Sequence, residues 1–178
     1  LAQGNMLVRR EREGGDATAL DNAVVAGKTT KIIINGQLII VKDGVAALGE
    51  LAKANLRMRR NEATPFTIIG ITGSVGKTTT KDLLKALLST LGETVAPVGS
   101  FNNEIGLPLT ALEVDEHTRY LVAEMGANHL GEIAHLTTIA PPDIAIVLKV
   151  GVAHLGEFGS VEHIAQAKSE IVRGLLND

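Results

Sequence analysis

The sequence predicts an α/β protein, a mostly parallel, doubly wound sheet preceded by the remnant of an N-terminal α/β domain. Three observations predict it. Short apolar runs recur at Phe66–Ile71, Arg119–Glu124 and Asp143–Val150, and they read as strands buried on both faces. Segments with helical spacing, Thr78–Leu91, Gly131–Ile139 and Val161–Leu176, separate or follow them. Strands alternating with helices mean parallel strands joined by helical crossovers. The polar, proline-bearing stretch Asn61–Pro65 is the best linker in the chain. Residues 1–62 are therefore expected to belong to the first part and residues 63–178 to the second.

Leu1–Thr30 shows no clear period and mixes charges with Gly14-Gly15, so a solvated segment is expected there. Lys31–Ile34 and Gln37–Val41 are aliphatic runs flanking Asn35-Gly36, which can take positive φ at both positions of a tight turn and predicts a hairpin. Gly44–Arg60 predicts a helix, with Val45, Leu48, Leu51, Ala52 and Leu56 at helical spacing. Arg57, Arg59 and Arg60 crowd its end, where cations suit the helix dipole. Thr78–Leu91 is expected to carry Leu84, Leu87, Leu88 and Leu91 on one side, with Gly92 as its stop.

Composition narrows the function. Hydrophobic residues make up 45% of the chain and aromatic residues 2%, so the core must be aliphatic. A net charge of -3 argues against binding nucleic acid by neutralising phosphates. The absence of cysteine excludes a disulfide framework, a thiolate metal site and a cysteine nucleophile, and it fits a reducing cytoplasm. No apolar run reaches the ~18 residues of a membrane span. The chain opens on Leu1 and stops at Asp178 where a helix would end, so both ends are expected to be cuts in a longer protein.

The strongest chemical signal is Gly70–Thr80, GITGSVGKTTT. An apolar strand runs into it and a helix follows. Glycines let backbone N–H groups turn inward onto phosphate oxygens, and the helix N-terminus adds partial positive charge. Gly73, Ser74, Val75, Gly76, Lys77, Thr78 and Thr79 are the expected contacts of a nucleoside triphosphate, read as ATP with magnesium. Lys77 would reach the β- and γ-phosphates and the Thr78 hydroxyl would ligate magnesium. The usual spacing asks for glycine where this chain has Ile71, so the pattern is the variant T-G-x-x-G-K-T. Gly27-Lys28-Thr29-Thr30 repeats the letters GKTT but lacks upstream glycines and precedes a strand, so no cradle is expected there.

Other candidates are weaker on pattern alone. Glu124 ends a predicted parallel strand, where open α/β sheets bind ligands, and could hold a metal or be a solvated loop carboxylate. His154 also follows a predicted strand. Lys168 lies on or beside the apolar face of its helix, where a lysine usually snorkels. Asn102 and Asn103 open a polar loop that could orient phosphate or carboxylate oxygens, or simply cap a turn.

Taken together, the strings ITGSVGKTTTK, FNNEIGLPLT, EMGANHLGEI and VGVAHLGEFGSVEHIAQAKSEI resemble, in order and spacing, the Mur ligases, ATP-dependent amide ligases of peptidoglycan synthesis. They cover most of Phe66–Ile171, and Lys31–Arg60 is more weakly similar to the end of the family's N-terminal substrate domain and its connecting helix. The resemblance implies roles for matching positions: Lys77 and Thr78 on phosphate and magnesium, Glu124 on one metal and His154 on a second. It also implies that Lys168 is the lysine carbamylated in many members, which then ligates magnesium, and that Asn102 and Asn103 help hold the phosphates and the reacting carboxylate. The strings FNNEIGLPLT and EMGANHLGEI point within the family to a member that joins D-alanyl-D-alanine to UDP-N-acetylmuramoyl-tripeptide through an acyl phosphate. A sibling with another amino-acid substrate and a regulatory nucleotide-binding module are the alternatives. A complete member has three domains, so this stretch alone is expected to be inactive.

Overall fold

A computed structural model describes residues 5–8, 20–26, 29–34, 37–151 and 155–176. The chain divides into two compact units, Leu1–Leu48 and Gly49–Asp178.

In the first unit, β1 (Asn5–Val8), β2 (Leu20–Ala26), β3 (Thr29–Ile34) and β4 (Gln37–Val41) form a sheet in that order. All three pairings are antiparallel. Ile34 faces Gln37, as the expected hairpin requires; Asn35 and Gly36 themselves lie outside the described residues. Strands β1 and β2 lie within the stretch that shows no clear period in sequence. Their signal was hidden because the register shifts between Leu20 and Ala23 and between Met6 and Val8, which breaks the alternation a strand shows in sequence. Of the second GKTT string, Thr29 and Thr30 lie in β3, while Gly27 and Lys28 are outside the described residues.

Helix α1 spans Gly44–Arg60, the bounds its periodicity predicts. Asp43 Oδ1 caps it, accepting from the N–H groups of Val45 and Ala46 at 2.9 and 3.1 Å. The basic end of α1 does more than suit the dipole. Arg59 Nε donates to the Thr118 carbonyl at 2.9 Å, and its guanidinium stacks 5.1 Å from the Phe66 ring centre. Arg60 grips both carboxylate oxygens of Asp143 at 2.9 Å, and Asp143 accepts the Ile68 N–H at 2.6 Å. One helix end thus fixes the starts of three strands.

Those strands belong to the second unit, where β5 (Thr67–Thr72), α2 (Lys77–Leu88), β6 (Glu93–Val95), α3 (Gly106–Ala111), β7 (Thr118–Glu124), α4 (Glu132–Ile139), β8 (Ile144–Val147), α5 (Leu155–Phe158) and α6 (Val161–Arg173) follow one another. The sheet order is β6-β7-β5-β8, with every pairing parallel. Helix α2 covers one face, where Leu84 and Leu88 pack against Ile69, Ile71 and Val122. On the other face Ile68, Leu121 and Ala123 meet Ile133 and Leu136 of α4 and Ile164 and Ile171 of α6. The core is aliphatic, as the scarcity of aromatics requires.

Two expectations need correcting. Leu87 and Leu91 do not join Leu84 and Leu88 at the core; each is 62% exposed. The cluster under α2 is small, so the contact stripe is one i, i+4 row wide, and α2 ends at Leu88. The strand predicted over Asp143–Val150 is only Ile144–Val147 and is not buried on both faces: Ile144 and Val147 are exposed, in a strand that pairs only with β5 among the described residues.

The two central strands send their helices to opposite faces, β5 into α2 and β7 towards α4. Their outgoing loops part, and a crevice opens at the carboxyl edge of the sheet.

Candidate active site

Building the crevice begins with glycines. Gly73 sits at φ 151° and a Cβ there would lie 2.7 Å from Leu148 Cβ; Gly76 sits at φ 86°. Side chains are rejected at the first position by space and at both by backbone conformation. The loop curls back on β8: Ser74 N–H donates to the Lys149 carbonyl at 3.0 Å, and Ser74 Oγ accepts from the Gly151 N–H at 3.0 Å. Helix α2 then starts at Lys77 with no side-chain cap, which leaves its first-turn N–H groups for a ligand. Lys77 Nζ meanwhile donates to the Gly73 carbonyl at 2.9 Å. Val75 and Thr79 are exposed.

Glu124 ends β7 opposite Ile71, beside this cradle, and is 1% exposed. Its Oε2 accepts from the Thr78 hydroxyl at 3.1 Å and its Oε1 from the Asn102 amide at 2.7 Å. Both donors are neutral, and no lysine or arginine among the described residues pairs with this carboxylate. A buried carboxylate beside a hydroxyl, with no cation, suits a hard cation that takes oxygen ligands and completes its shell with phosphate and water. Among the described residues no cluster of three or more His, Cys, Asp or Glu could hold a metal, so the fit rests on the Thr78–Glu124 pair.

The asparagines divide their labour. Asn102 holds Glu124, whereas Asn103 Oδ1 accepts from the Gly106 N–H at 2.8 Å and shapes the turn into α3. Gly126 lets Asn102 approach: its N–H donates to the Asn102 carbonyl at 2.8 Å, and a Cβ on it would lie 2.6 Å from Asn102 Oδ1. The segment leading to Asn102 is fixed from α2, where the buried Lys81 ammonium donates to the carbonyls of Pro97 and Gly99 at 2.9 and 3.0 Å.

Lys168 does not snorkel. It is 2% exposed, its Nζ donates to the Ala127 carbonyl at 3.2 Å, and it lies 5.4 Å from the Phe158 ring centre. Burial, aided by the positive charge of Lys77 and opposed by Glu132 and Glu170, lowers its pKa from 10.5 to about 8. Between about pH 8 and 10.5 the unfolded chain holds the proton that the folded chain has lost, so this group makes stability rise with pH across that window. Urea unfolding of Lys168→Met is expected to show a flatter pH profile there than the wild type; identical slopes would refute the burial argument. His154 lies outside the described residues. His129 is exposed and pairs with Glu132 at 3.1 Å.

Sequence reasoning did not find Lys81, Gly126, Glu170 or the Ser74–Gly151 bond. Their only signal was proximity to the motifs.

A glycine-hinged cradle joining a central parallel strand to an uncapped helix makes this a phosphate-loop α/β domain. Residues 71–178 match the Mur ligase middle domain, and the chain belongs to the Mur ligase family. It is similar to the UDP-N-acetylmuramoyl-tripeptide–D-alanyl-D-alanine ligase of Mycobacterium tuberculosis H37Rv, with 58% identity over 129 residues, covering 72% of this chain and 25% of that protein. The ligase of that name from Bacillus subtilis is 41% identical over 175 residues, covering 98% of this chain and 36% of that protein. Among solved structures, MurF from Acinetobacter baumannii superposes with a TM-score of 0.72 at 44% identity, covering 79% of this chain and 30% of that one. The MurF ligase from Thermotoga maritima, in complex with ADP, gives a TM-score of 0.69 at 42% identity, covering 77% and 31%. The chain thus spans about a quarter of the Mycobacterium relative and about a third of the Bacillus one.

Proposed function

We propose that this chain is the ATP-binding part of a ligase that adds D-alanyl-D-alanine to UDP-N-acetylmuramoyl-tripeptide, an ADP-forming step of peptidoglycan precursor synthesis in the cytoplasm. The observation that carries the reading is the Thr78–Glu124–Asn102 chain of contacts beside the glycine cradle, on a fold shared with relatives that bear this ligase's name. No helix among the described residues is long and apolar enough to cross a membrane. In this reading residues 1–62 are the end of a substrate-binding domain with its connecting helix, and residues 63–178 are a central ATP-binding domain.

The chemistry asks for position and charge. Backbone N–H groups of residues 73–79 cradle the phosphates. Lys77 leaves the Gly73 carbonyl for the β- and γ-phosphates. Thr78 and Glu124 would hold magnesium, which would neutralise charge on the phosphates. Asn102 keeps Glu124 aimed, and with Asn103 it lines the approach of the tripeptide carboxylate. That carboxylate oxygen attacks the γ-phosphorus, ADP leaves, and an acyl phosphate forms; the amine of D-alanyl-D-alanine then attacks the acyl carbon and phosphate departs. No protein nucleophile is required. A second metal would fall to His154 and to Lys168, whose neutral amine can take up carbon dioxide to give a carbamate and a proton. The lowered pKa of Lys168 supplies that neutral amine near physiological pH.

The test is ADP release by the protein at the length of its relatives, with ATP, magnesium and UDP-tripeptide. Release that depends on D-alanyl-D-alanine and falls at least about a hundredfold in Lys77→Ala is expected. Release with another amino acid instead would identify a sibling ligase, and nucleotide binding without dipeptide-dependent release a regulatory module.

A further inference from the structure

Glu170 is a buried carboxylate that holds neither phosphate nor metal in the chemistry above; its one part there is to oppose the lowered pKa of Lys168. It lies on α6, 5% exposed, two residues past Lys168. Its Oε1 accepts the Gly131 N–H at 2.7 Å and its Oε2 the Ala134 N–H at 3.0 Å. These groups open α4, where Gly131 sits at φ 88° and offers no side chain as a cap. A carboxylate there meets two unpaired donors and the positive end of the helix.

A helix cap is ordinarily local, but this one comes from 36 residues away or more. The nearer carboxylate, Glu132, turns back instead and accepts the N–H groups of Asn128 and His129 at 2.7 and 3.2 Å. Lys168 holds the Ala127 carbonyl. Helix α6 therefore grips the loop after Glu124 at both ends, with Lys168 at residue 127 and Glu170 at residues 131 and 134. This loop and the start of α4 together line a pocket of about 380 Å³, with Gly126, Asn128, Leu130 and Gly131 from the loop and Asn103 and Glu104 from the segment before α3. None of its lining residues belongs to the phosphate loop.

We propose that Glu170 is a positioning residue: by holding Gly131 and Ala134 it fixes the loop side of this pocket, and with it the seat of the acid substrate next to Asn103 and Gly126. The proposal rests on the ligase reading given above. Losing the grip loosens residues 126–134 and leaves the phosphate cradle, which is anchored separately through Ser74 and Gly151, as it was.

Two arms test it on Glu170→Ala and the isosteric Glu170→Gln, which keeps one acceptor for two donors and carries the comparison if the alanine variant does not fold. In amide hydrogen exchange, residues 126–134 are expected to exchange roughly tenfold faster in Glu170→Ala, less so in Glu170→Gln, with residues 70–80 unchanged. In steady-state assays of the protein at the length of its relatives, the KM for UDP-tripeptide is expected to rise about tenfold and that for ATP to stay within about twofold. Unchanged exchange at residues 126–134 overturns the proposal, as does a lowered Tm with wild-type kinetic constants, or an equal loss for both substrates. If the wild type releases no ADP in response to D-alanyl-D-alanine, the ligase reading fails, while the exchange arm still decides whether Glu170 holds the loop.

Discussion

Glu124→Gln is expected to lower dipeptide-dependent ADP release by roughly a thousandfold while leaving the protein as stable as before, or more so. The carboxylate is 1% exposed and its two hydrogen bonds come from neutral groups. Its charge is therefore uncompensated by any lysine or arginine among the described residues, a costly arrangement for a folded protein to keep. Glutamine is isosteric. Its oxygen accepts from the Asn102 amide and its nitrogen donates to the Thr78 hydroxyl, so the packing survives and the buried charge is gone. What disappears, on the proposed reading, is the anionic ligand for magnesium. Thermal unfolding with and without magnesium and ADP separates the two effects: the wild type gains Tm from magnesium and the variant does not. A variant that keeps the magnesium-dependent gain would exclude Glu124 as a ligand.

Gly126→Ala is expected to cost roughly a hundredfold in the same assay, by displacing the Asn102 amide that holds Glu124. The new methyl would sit 2.6 Å from Asn102 Oδ1 and 3.0 Å from its Nδ2. The clash is with the end of a side chain, and Gly126 is not among the glycines with positive φ, so the backbone accepts alanine. Asn102 cannot back away as a whole, because its carbonyl takes the Gly126 N–H. Its amide turns instead and leaves Glu124. Asn102→Ala should then show a similar loss, and the double variant little further loss, since both act through one contact. Additive losses would mean that Gly126 acts by some other route.

How much of this was legible in the sequence depended on whether a feature is local. The phosphate cradle is contiguous, and strand, glycines and helix all announce it within eleven residues, Gly70–Thr80. Glu124 was readable as the last residue of an apolar run. Helix α1 was readable to its bounds because its period is unbroken and basic residues crowd its end. Lys168 was half legible: its helical face hinted at burial, but its partner at Ala127 is 41 residues away. The bonds from Lys81 to Gly99, from Glu170 to Gly131 and from Ser74 to Gly151 are invisible in the same way, each joining a side chain to a backbone group whose position only the fold decides. Leu87 was misread because periodicity reports that a residue is apolar and not how wide the surface beneath it is. The expected strand over Asp143–Val150 erred on coverage: a run reads as doubly covered from its apolar letters alone, whatever packs on its faces.

The bond between Ser74 and Gly151 also has a consequence in time. The two residues stand 77 positions apart. A chain made from its N-terminus carries the complete Gly70–Thr80 motif long before Gly151 exists to receive Ser74. At about 5–20 residues per second, that interval lasts several seconds on the ribosome. Throughout it the motif is spelled out but has no clamp on its far side, and β5 lacks the neighbours β7 and β8 on which its sheet depends. Affinity for nucleotide should therefore arrive in a single late step once Gly151 has emerged, so that nascent chains released before that point carry every letter of the phosphate motif and ignore the nucleotide around them.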